Sequence, residues 1–291
     1  MRFNKILLPL DGSELAEKAL APALALTEAL TAEIVLLRVV VPLSVKLDPD
    51  LYQRLIDNGQ NEAKAYLNTI QSRPLFSAIR CKSETMVGKA AESIINYAQE
   101  NEIDLIVMSS HGRSGIRRWV YGSVANKVLH QAACAIAIIH PQVETELFAH
   151  KRILVPLDGS RQAERALEPA LKLAQAVGAE LVLLRVTVMP PIPVEPIAGW
   201  PGIEAVMKAE EDEVKAYLQQ VRKSLANGRI QINTHVAAEP VAESIIDTAE
   251  KLEVDLIVMS SHGRSGLDRW VFGSVTEKIV RGAKCATMVI R

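Results

Sequence analysis

Two short segments hold residue types that could do chemistry together. Pro9, Asp11, Gly12 and Ser13 close one apolar run, and Met108, Ser109, Ser110, His111, Gly112, Arg113, Ser114 and Gly115 close another. From Gly112, nine residues lead to Gly122 and Ser123, then to Val124, Ala125, Asn126 and Lys127, where an amphipathic helical pattern begins. Glycine lets backbone N–H groups approach an anion closely, and a helix amino end adds unpaired donors and the positive pole of its dipole. These are the parts of a phosphate cradle. Ser123 adds a hydroxyl, and Arg113, Arg117 or Arg118 adds charge. Asp11 suits the hydroxyls of a ribose. The set returns later in the chain as Asp158, Ser260, Gly263, Arg264, Gly273 and Ser274.

Each group also has a plainer role. Asp-Gly-Ser is an ordinary entry turn for a helix, with Ser13 as its N-cap, and Gly112 and Gly122 can serve tight turns alone. His111 and His262 stand beside serines, yet adjacent residues seldom converge on one reacting centre, so they read as loop histidines. Trp119 and Trp270 could stack on a base, but aromatic bulk more often signals packing. Cys134 and Cys285 open apolar runs as small core residues. Arg117 is exchanged for Asp268 in the later segment, whereas Arg118 is kept as Arg269.

The elements that must position these segments follow from the rest of the chain. Its 291 residues suggest two domains, each large enough for its own core. Hydrophobic residues at 49% and charged residues at 23% exclude a disordered or fibrous chain. The net charge of −1 (33 basic against 34 acidic) argues against nucleic acid as a partner. The apolar run before Asp11 is too short for a secretory signal, which predicts a cytoplasmic protein. No stretch approaches the ~20 apolar residues of a membrane helix. The longest, Ala132 to Ile139, suits a buried strand. Cys81, Cys134 and Cys285 lack C-x-x-C spacing, so neither a zinc site nor a disulfide is expected.

The chain is one unit written twice. KILLPLDGSELAEKAL at Lys5 returns as RILVPLDGSRQAERAL at Arg152, and Ile103–Val124 matches Val254–Val275 at 18 of 22 positions. The four extra residues of the second copy fall between its matching blocks, in the proline-rich stretch from Met189 to Gly202. Within a copy, short apolar runs alternate with longer stretches of helical spacing. They predict strands over 4–10, 33–41, 76–86, 103–109 and 134–140, and helices over 13–30, 50–72, 89–101 and 122–131. This alternation gives an α/β class with parallel central strands, right-handed crossovers and helices on both faces. In such a sheet a ligand binds beyond the carboxyl ends of the strands, where the strand order reverses, and both chemistry-bearing segments lie at such ends.

At P-L-D-G-S after the first strand and S-S-H-G-R-S-G with a later G-S-V, the chain resembles the universal stress proteins, specifically their tandem-domain members. The resemblance covers nearly the whole chain in both copies. It implies domains over 1–146 and 147–291, each an open, doubly wound, Rossmann-like sheet of five parallel strands in the order 3-2-1-4-5. Nucleotide-binding members carry glycine, two residues, glycine, nine residues, glycine, then serine or threonine, and hold ATP in the crevice. The resemblance carries that role to Gly112, Gly122 and Ser123, with Val124 following, and to Gly263, Gly273, Ser274 and Val275. It also implies that Asp11 and Asp158 meet ribose or adenine beside Pro9 and Pro156, that Val39 and Val186 line the adenine pocket, and that Met108 and Met259 flank the phosphate turn, with Arg113 and Arg264 beside it. The first glycine of the pattern is absent, replaced by Ser109 and Ser260. Gly88 aligns with Glu239, so the second pocket is the one expected to have lost its nucleotide if either has.

Three readings follow. The first is a stress-response module that binds ATP, with or without Mg2+, as a ligand or regulatory signal and hydrolyses it slowly or not at all. The second is an interaction scaffold with vestigial pockets and an unidentified protein partner. The third is an α/β enzyme using a nucleotide or flavin. The sequence contains no G-x-x-x-x-G-K-[ST] and no G-x-G-x-x-G, which disfavours an efficient ATPase and a dinucleotide enzyme. The apolar last strands, Ala135 to Ile139 and Ala286 to Ile290, further suggest that the two copies pair within the chain as a pseudo-dimer, open to further homo-oligomerisation.

Overall fold

The computed structural model describes residues 3–43, 45, 48–110, 122–140, 148–188, 202–226, 228–261 and 273–291. The chain divides into two compact units, one centred on residues 1–147 and the other on 148–287. The first runs β1 (Lys5–Pro9), α1 (Glu14–Glu17), α2 (Leu20–Leu30), β2 (Glu33–Val40), α3 (Pro49–Gln71), β3 (Cys81–Val87), α4 (Ala90–Glu100), β4 (Leu105–Ser109), α5 (Ser123–Gln131) and β5 (Ala135–Ile139). The second repeats it as β6 (Arg152–Pro156), α6 (Arg161–Glu164), α7 (Leu167–Val177), β7 (Glu180–Thr187), α8 (Gly202–Leu225), β8 (Ile232–Ala238), α9 (Val241–Lys251), β9 (Leu256–Ser260), α10 (Ser274–Gly282) and β10 (Ala286–Ile290).

The first sheet has the strand order β3-β2-β1-β4-β5, and the second follows the same order as β8-β7-β6-β9-β10. The strands pair in parallel within each copy, with Ile6 beside Ile34 on one side and Leu105 on the other. All of β4 and β5 is buried, as expected of strands covered on both faces. Each fully buried Leu, Ile or Val there contributes about 1.5–3 kcal/mol of hydrophobic stabilisation. Right-handed crossovers outward from β1 place α1–α3 on one face, and those through β4 to β5 place α4 and α5 on the other, where they pack together.

The stretch expected as one helix over 13–30 is two, α1 and α2, with the break at Lys18 and Ala19. Pro22 is the cause. It has no N–H for the carbonyl of Lys18, and its ring would clash with that carbonyl in a continuous helix. Pro169 produces the same break at Arg165 and Ala166. The third strand, expected from 76, begins at Cys81 because Pro74 starts a single 3-10 turn through Phe76, whose ring is buried.

The amino and carboxyl ends of β1 are held differently. At the amino end, the Asp104 carboxylate accepts the amides of Asn4 (2.7 Å) and Lys5 (3.1 Å), joining β1 to the start of β4. Asp255 does the same for the amides of His150 (3.0 Å) and Arg152 (2.9 Å). At the carboxyl end the β1–β4 register stops after Leu7↔Ile106, while β1–β2 continues to Pro9↔Leu37. The Leu10 amide donates to Leu37 on β2, and amides alternate along a strand, so the Pro9 nitrogen faces β4 and carries no hydrogen. Pro156 stands in the same relation to β9, since the Leu157 amide donates to Leu184 on β7 and the β6–β9 register ends at Leu154↔Ile257. Replacing Asp104 or Asp255 with alanine is expected to lower the unfolding free energy by about 2–4 kcal/mol, the loss of two hydrogen bonds to a charged acceptor, read from urea denaturation. The more deeply buried Asp255 should give the larger loss, and no change in either variant would contradict this account.

Candidate functional site

Where β1 and β4 part, the first unit has a cavity of about 480 Å³. That is within the range of small-molecule and cofactor sites, about 300–1,000 Å³. One wall is Pro9, Leu10 and Asp11, another is Met108, Ser109 and Ser110, and the end of β2 from Leu37 to Val41 forms a third. Gly122, Ser123, Val124 and Ala125, at the amino end of α5, close one end. Ala16 of α1, Gly59 and Glu62 of α3, and Ala90 and Ile94 of α4 complete the lining. Of the residues expected from sequence in the first copy, Pro9, Asp11, Val39, Met108, Ser109, Gly122, Ser123 and Val124 are therefore brought to one space. Gly112 and Arg113 lie outside the described residues, as do His111, Arg117, Arg118 and Trp119.

The Asp11 turn is an Asx turn in series with a helix cap. Oδ1 of Asp11 accepts the Ser13 amide (2.9 Å) and the Ser13 hydroxyl (2.6 Å), and Ser13 Oγ in turn accepts the Ala16 amide (3.2 Å). Gly12 between them has φ +81°, a left-handed conformation that favours glycine. The ordinary capping role is thus real, and it sets the carboxylate at the cavity wall.

The Gly122 amide is engaged within the fold. That N–H donates to the Ser110 carbonyl (3.0 Å), joining the end of β4 to the start of α5. The first helical amides of α5 are one residue further on. No side chain caps α5, its first turn contains no acidic residue, and the amides of Ser123 and Val124 belong to the turn whose N–H groups a helix leaves without internal partners.

The second copy repeats these bonds. Asp158 Oδ1 accepts the Ser160 amide (2.9 Å) and hydroxyl (2.6 Å), and the Gly273 amide donates to Ser261 (3.1 Å). Pro156 and Asp158 end β6, Val186 is half-buried on β7, and Met259 and Ser260 are buried at the end of β9. Gly273, Ser274 and Val275 open α10, whereas Gly263 and Arg264, with His262, Asp268, Arg269 and Trp270, lie outside the described residues. Two differences affect charge and space. Glu277 occupies the first turn of α10, where it pairs with Arg281 (2.5 Å), and the Thr276 hydroxyl lies 3.3 Å from the Ser260 carbonyl.

Sequence reasoning missed Arg38, which lies on β2 at the cavity wall with its guanidinium over the Tyr66 ring at 4.5 Å. The Tyr66 hydroxyl donates to Glu17 (3.0 Å), and burial, reinforced by that carboxylate, pushes the phenol well above its ordinary range, so it remains a donor. Arg185, Tyr217 and Glu164 repeat the arrangement at 4.9 and 2.9 Å. A signal was present: an arginine inside an apolar strand, at the same place in both copies, as V-L-L-R-V.

The sequence model of the universal stress protein family matches twice, over residues 2–140 and 149–291. Universal stress protein MJ0531 of Methanocaldococcus jannaschii is 32% identical over 143 residues, covering 49% of this chain and 82% of that protein. Universal stress protein Mb2028c of Mycobacterium bovis is 27% identical over 225 residues, covering 72% of this chain and 68% of that one. Among solved structures, a universal stress protein from Archaeoglobus fulgidus superimposes with a TM-score of 0.74 at 23% identity, over 100% of this chain and 99% of that one, a likeness of fold.

The three thiols are held in the protonated form at neutral pH. Burial pushes Cys81 and Cys134 up to about 11 and Cys285 to about 12, from an ordinary value of 9.0. The folded chain therefore favours the protonated thiols. Their contribution to stability is whole below pH 9 and is lost as pH rises from 9 toward 11. At pH 8 a disulfide reagent should react slowly with the native chain and titrate all three cysteines in urea, and the urea midpoint should fall between pH 8 and 10.5. Immediate titration of three thiols in the native chain would refute this.

Proposed function

The chain belongs to the universal stress protein family in both its copies, and from that premise we propose that the crevice of the first copy holds an adenine nucleotide, ATP, as a ligand or regulatory signal in the response to stress. The observation that carries this reading is the cavity itself. One polar wall ends on a carboxylate, and one end is formed by an uncapped helix whose first turn contains no acid. A triphosphate suits the amides of Ser123 and Val124, the Ser123 hydroxyl and the positive pole of α5. Gly112 and Arg113 are the remaining members of that end, by sequence. Asp11 would take the ribose or base, with Val39 and Met108 as apolar contacts beside Pro9. Ser109 adds a hydroxyl where nucleotide-binding relatives have glycine. Mg2+ would accompany the triphosphate as its counter-ion. The chain's role is binding, with slow or no hydrolysis.

The second copy favours a different reading of its own crevice. Glu277 places a carboxylate in the turn that would meet the phosphates, and Glu239 replaces the glycine at the end of β8. We assign it weak or absent nucleotide binding, through the corresponding Asp158, Val186, Met259, Ser260, Gly263, Arg264, Gly273, Ser274 and Val275. Its domain, 147–291, would then act mainly as an interaction surface alongside the nucleotide-binding domain, 1–146.

The test is equilibrium binding of ATP to the full chain and to Gly122→Glu. Gly122 has φ −56°, so glutamate is accommodated without backbone strain and brings a carboxylate to the phosphate end. Affinity is expected to fall at least about tenfold, or about 1.4 kcal/mol. Unchanged ATP affinity, or no binding to the wild type, overturns the reading.

A further inference from the structure

We infer that Arg38, with Arg185 in the second copy, is a positioning residue of the crevice: its guanidinium, seated between a tyrosine ring and the glycine of the Asp-Gly-Ser turn, fixes the place of Asp11 for the nucleoside end of a ligand. The inference rests on the nucleotide reading and adds to it a residue that the family motif does not contain.

Arginine is unexpected on β2, where Ile34 to Leu37 are all buried aliphatics. It meets α3 and the turn after β1, and α3 is tied in its turn to α1. The guanidinium stacks on Tyr66 of α3. Its Nη1 lies so near Gly12 that a Cβ built on that glycine would collide with it. Gly12 is favoured as glycine by its φ of +81°, and the arginine lies close against it. The Tyr66 hydroxyl reaches Glu17 of α1, whose other oxygen accepts Nη2 of Arg73 at 2.8 Å.

These contacts close on themselves. Glu17 belongs to the helix that Ser13 caps, and Ser13 is tied to Asp11 across Gly12. The ring therefore runs from the turn through α1 to Tyr66, on to Arg38, and back to the turn. A carboxylate at the tip of a turn is mobile unless both sides of the turn are held, and here α1 holds one side and Arg38 the other. The second copy has the same ring through Gly159, Arg185, Tyr217 and Glu164. It is looser, with a Cβ on Gly159 at 3.1 Å from Nη1, and Ser224 stands where the first copy has Arg73. Lysine could not substitute, since the contact needs a flat group able to lie on a ring and against a backbone at once.

A merely structural arginine would affect every ligand alike or none, so the two ends of the ligand are tested separately. Full-length chain carrying Arg38→Met and Arg185→Met, so that the result does not depend on how many crevices fill, is compared with wild type for ATP, adenosine and inorganic tripolyphosphate. Each is measured by displacement of labelled ATP. ATP and adenosine are expected to weaken together by about tenfold, and tripolyphosphate, which meets only the amino end of α5, is expected to bind as before. Arg38→Lys with Arg185→Lys should not restore the loss. If the methionine variant does not fold, Tyr66→Phe with Tyr217→Phe, which keeps the rings and removes their bonds to the glutamates, should show the same split at a smaller amplitude. Unchanged ATP affinity in a folded variant, or equal weakening of adenosine and tripolyphosphate, overturns the inference while leaving nucleotide binding intact. A wild type that binds no adenine nucleotide removes the nucleotide reading itself, and the inference with it.

Discussion

The crevice depends on how β1 is joined to β4: bonded at one end and unable to bond at the other. Asp104 ties the amino ends together through two backbone amides. Four positions beyond Lys5, Pro9 presents to β4 a nitrogen without a hydrogen, and the register between the strands has already ended. The strands must part there, since β1 stays in register with β2 while β4 continues in register with β5 through Ser109. The reversal of strand order decides where a ligand can enter, and the proline makes the opening. Asp255 and Pro156 do the same in the second copy, so the device survived duplication at both ends.

Given that opening, local turn chemistry and ligand chemistry use the same atoms. The Asp11 carboxylate is kept in place because Oδ1 serves the Ser13 cap, so a residue explained by helix entry is also one that a ligand would meet. The Ser110–Gly122 bond works similarly. It consumes a donor that might have faced a phosphate, and by doing so it fixes the start of α5 against the end of β4, which brings the next amides to the cavity. Capping α5 with a side chain would stabilise the helix by about 1 kcal/mol and would fill the position an anion needs. The helix goes without one.

Much of this was legible in the sequence because it is local or repeated. The continuous apolar runs at Leu105 and Ala135, the proline-aspartate-glycine-serine turn and the helical spacing after Glu92 each carry their signal within a few residues, and the second copy doubled it. The break between α1 and α2 was also written there, in Pro22, but helical spacing on both sides of it suggested continuity. The ring around Arg38 was not readable in that way. Its members are 28, 49 and 26 positions apart along the chain, from Arg38 to Tyr66, Tyr66 to Glu17 and Gly12 to Arg38, and only the packing of α3 on β2 brings them together. The arginine in an apolar strand was the visible trace, and its meaning required the tyrosine above it.

Duplication separates what the fold requires from what a ligand requires. Both copies keep the strand opening, the capped turn and the arginine ring, which belong to the β1, β2 and α3 side of the crevice. They diverge on the β4 and α5 side, where Ala125 and Asn126 correspond to Thr276 and Glu277, and at the end of the third strand, where Gly88 corresponds to Glu239. Those changes cost the second fold little. Thr276 is buried with its hydroxyl beside the Ser260 carbonyl, and Glu277 suits a helix amino end and bonds Arg281. A carboxylate that satisfies the helix dipole from within occupies the electrostatic position that an incoming phosphate would otherwise take. Stabilising α10 and placing negative charge at its amino end are therefore one change, and the first turn of α5 in the first copy carries no such acid.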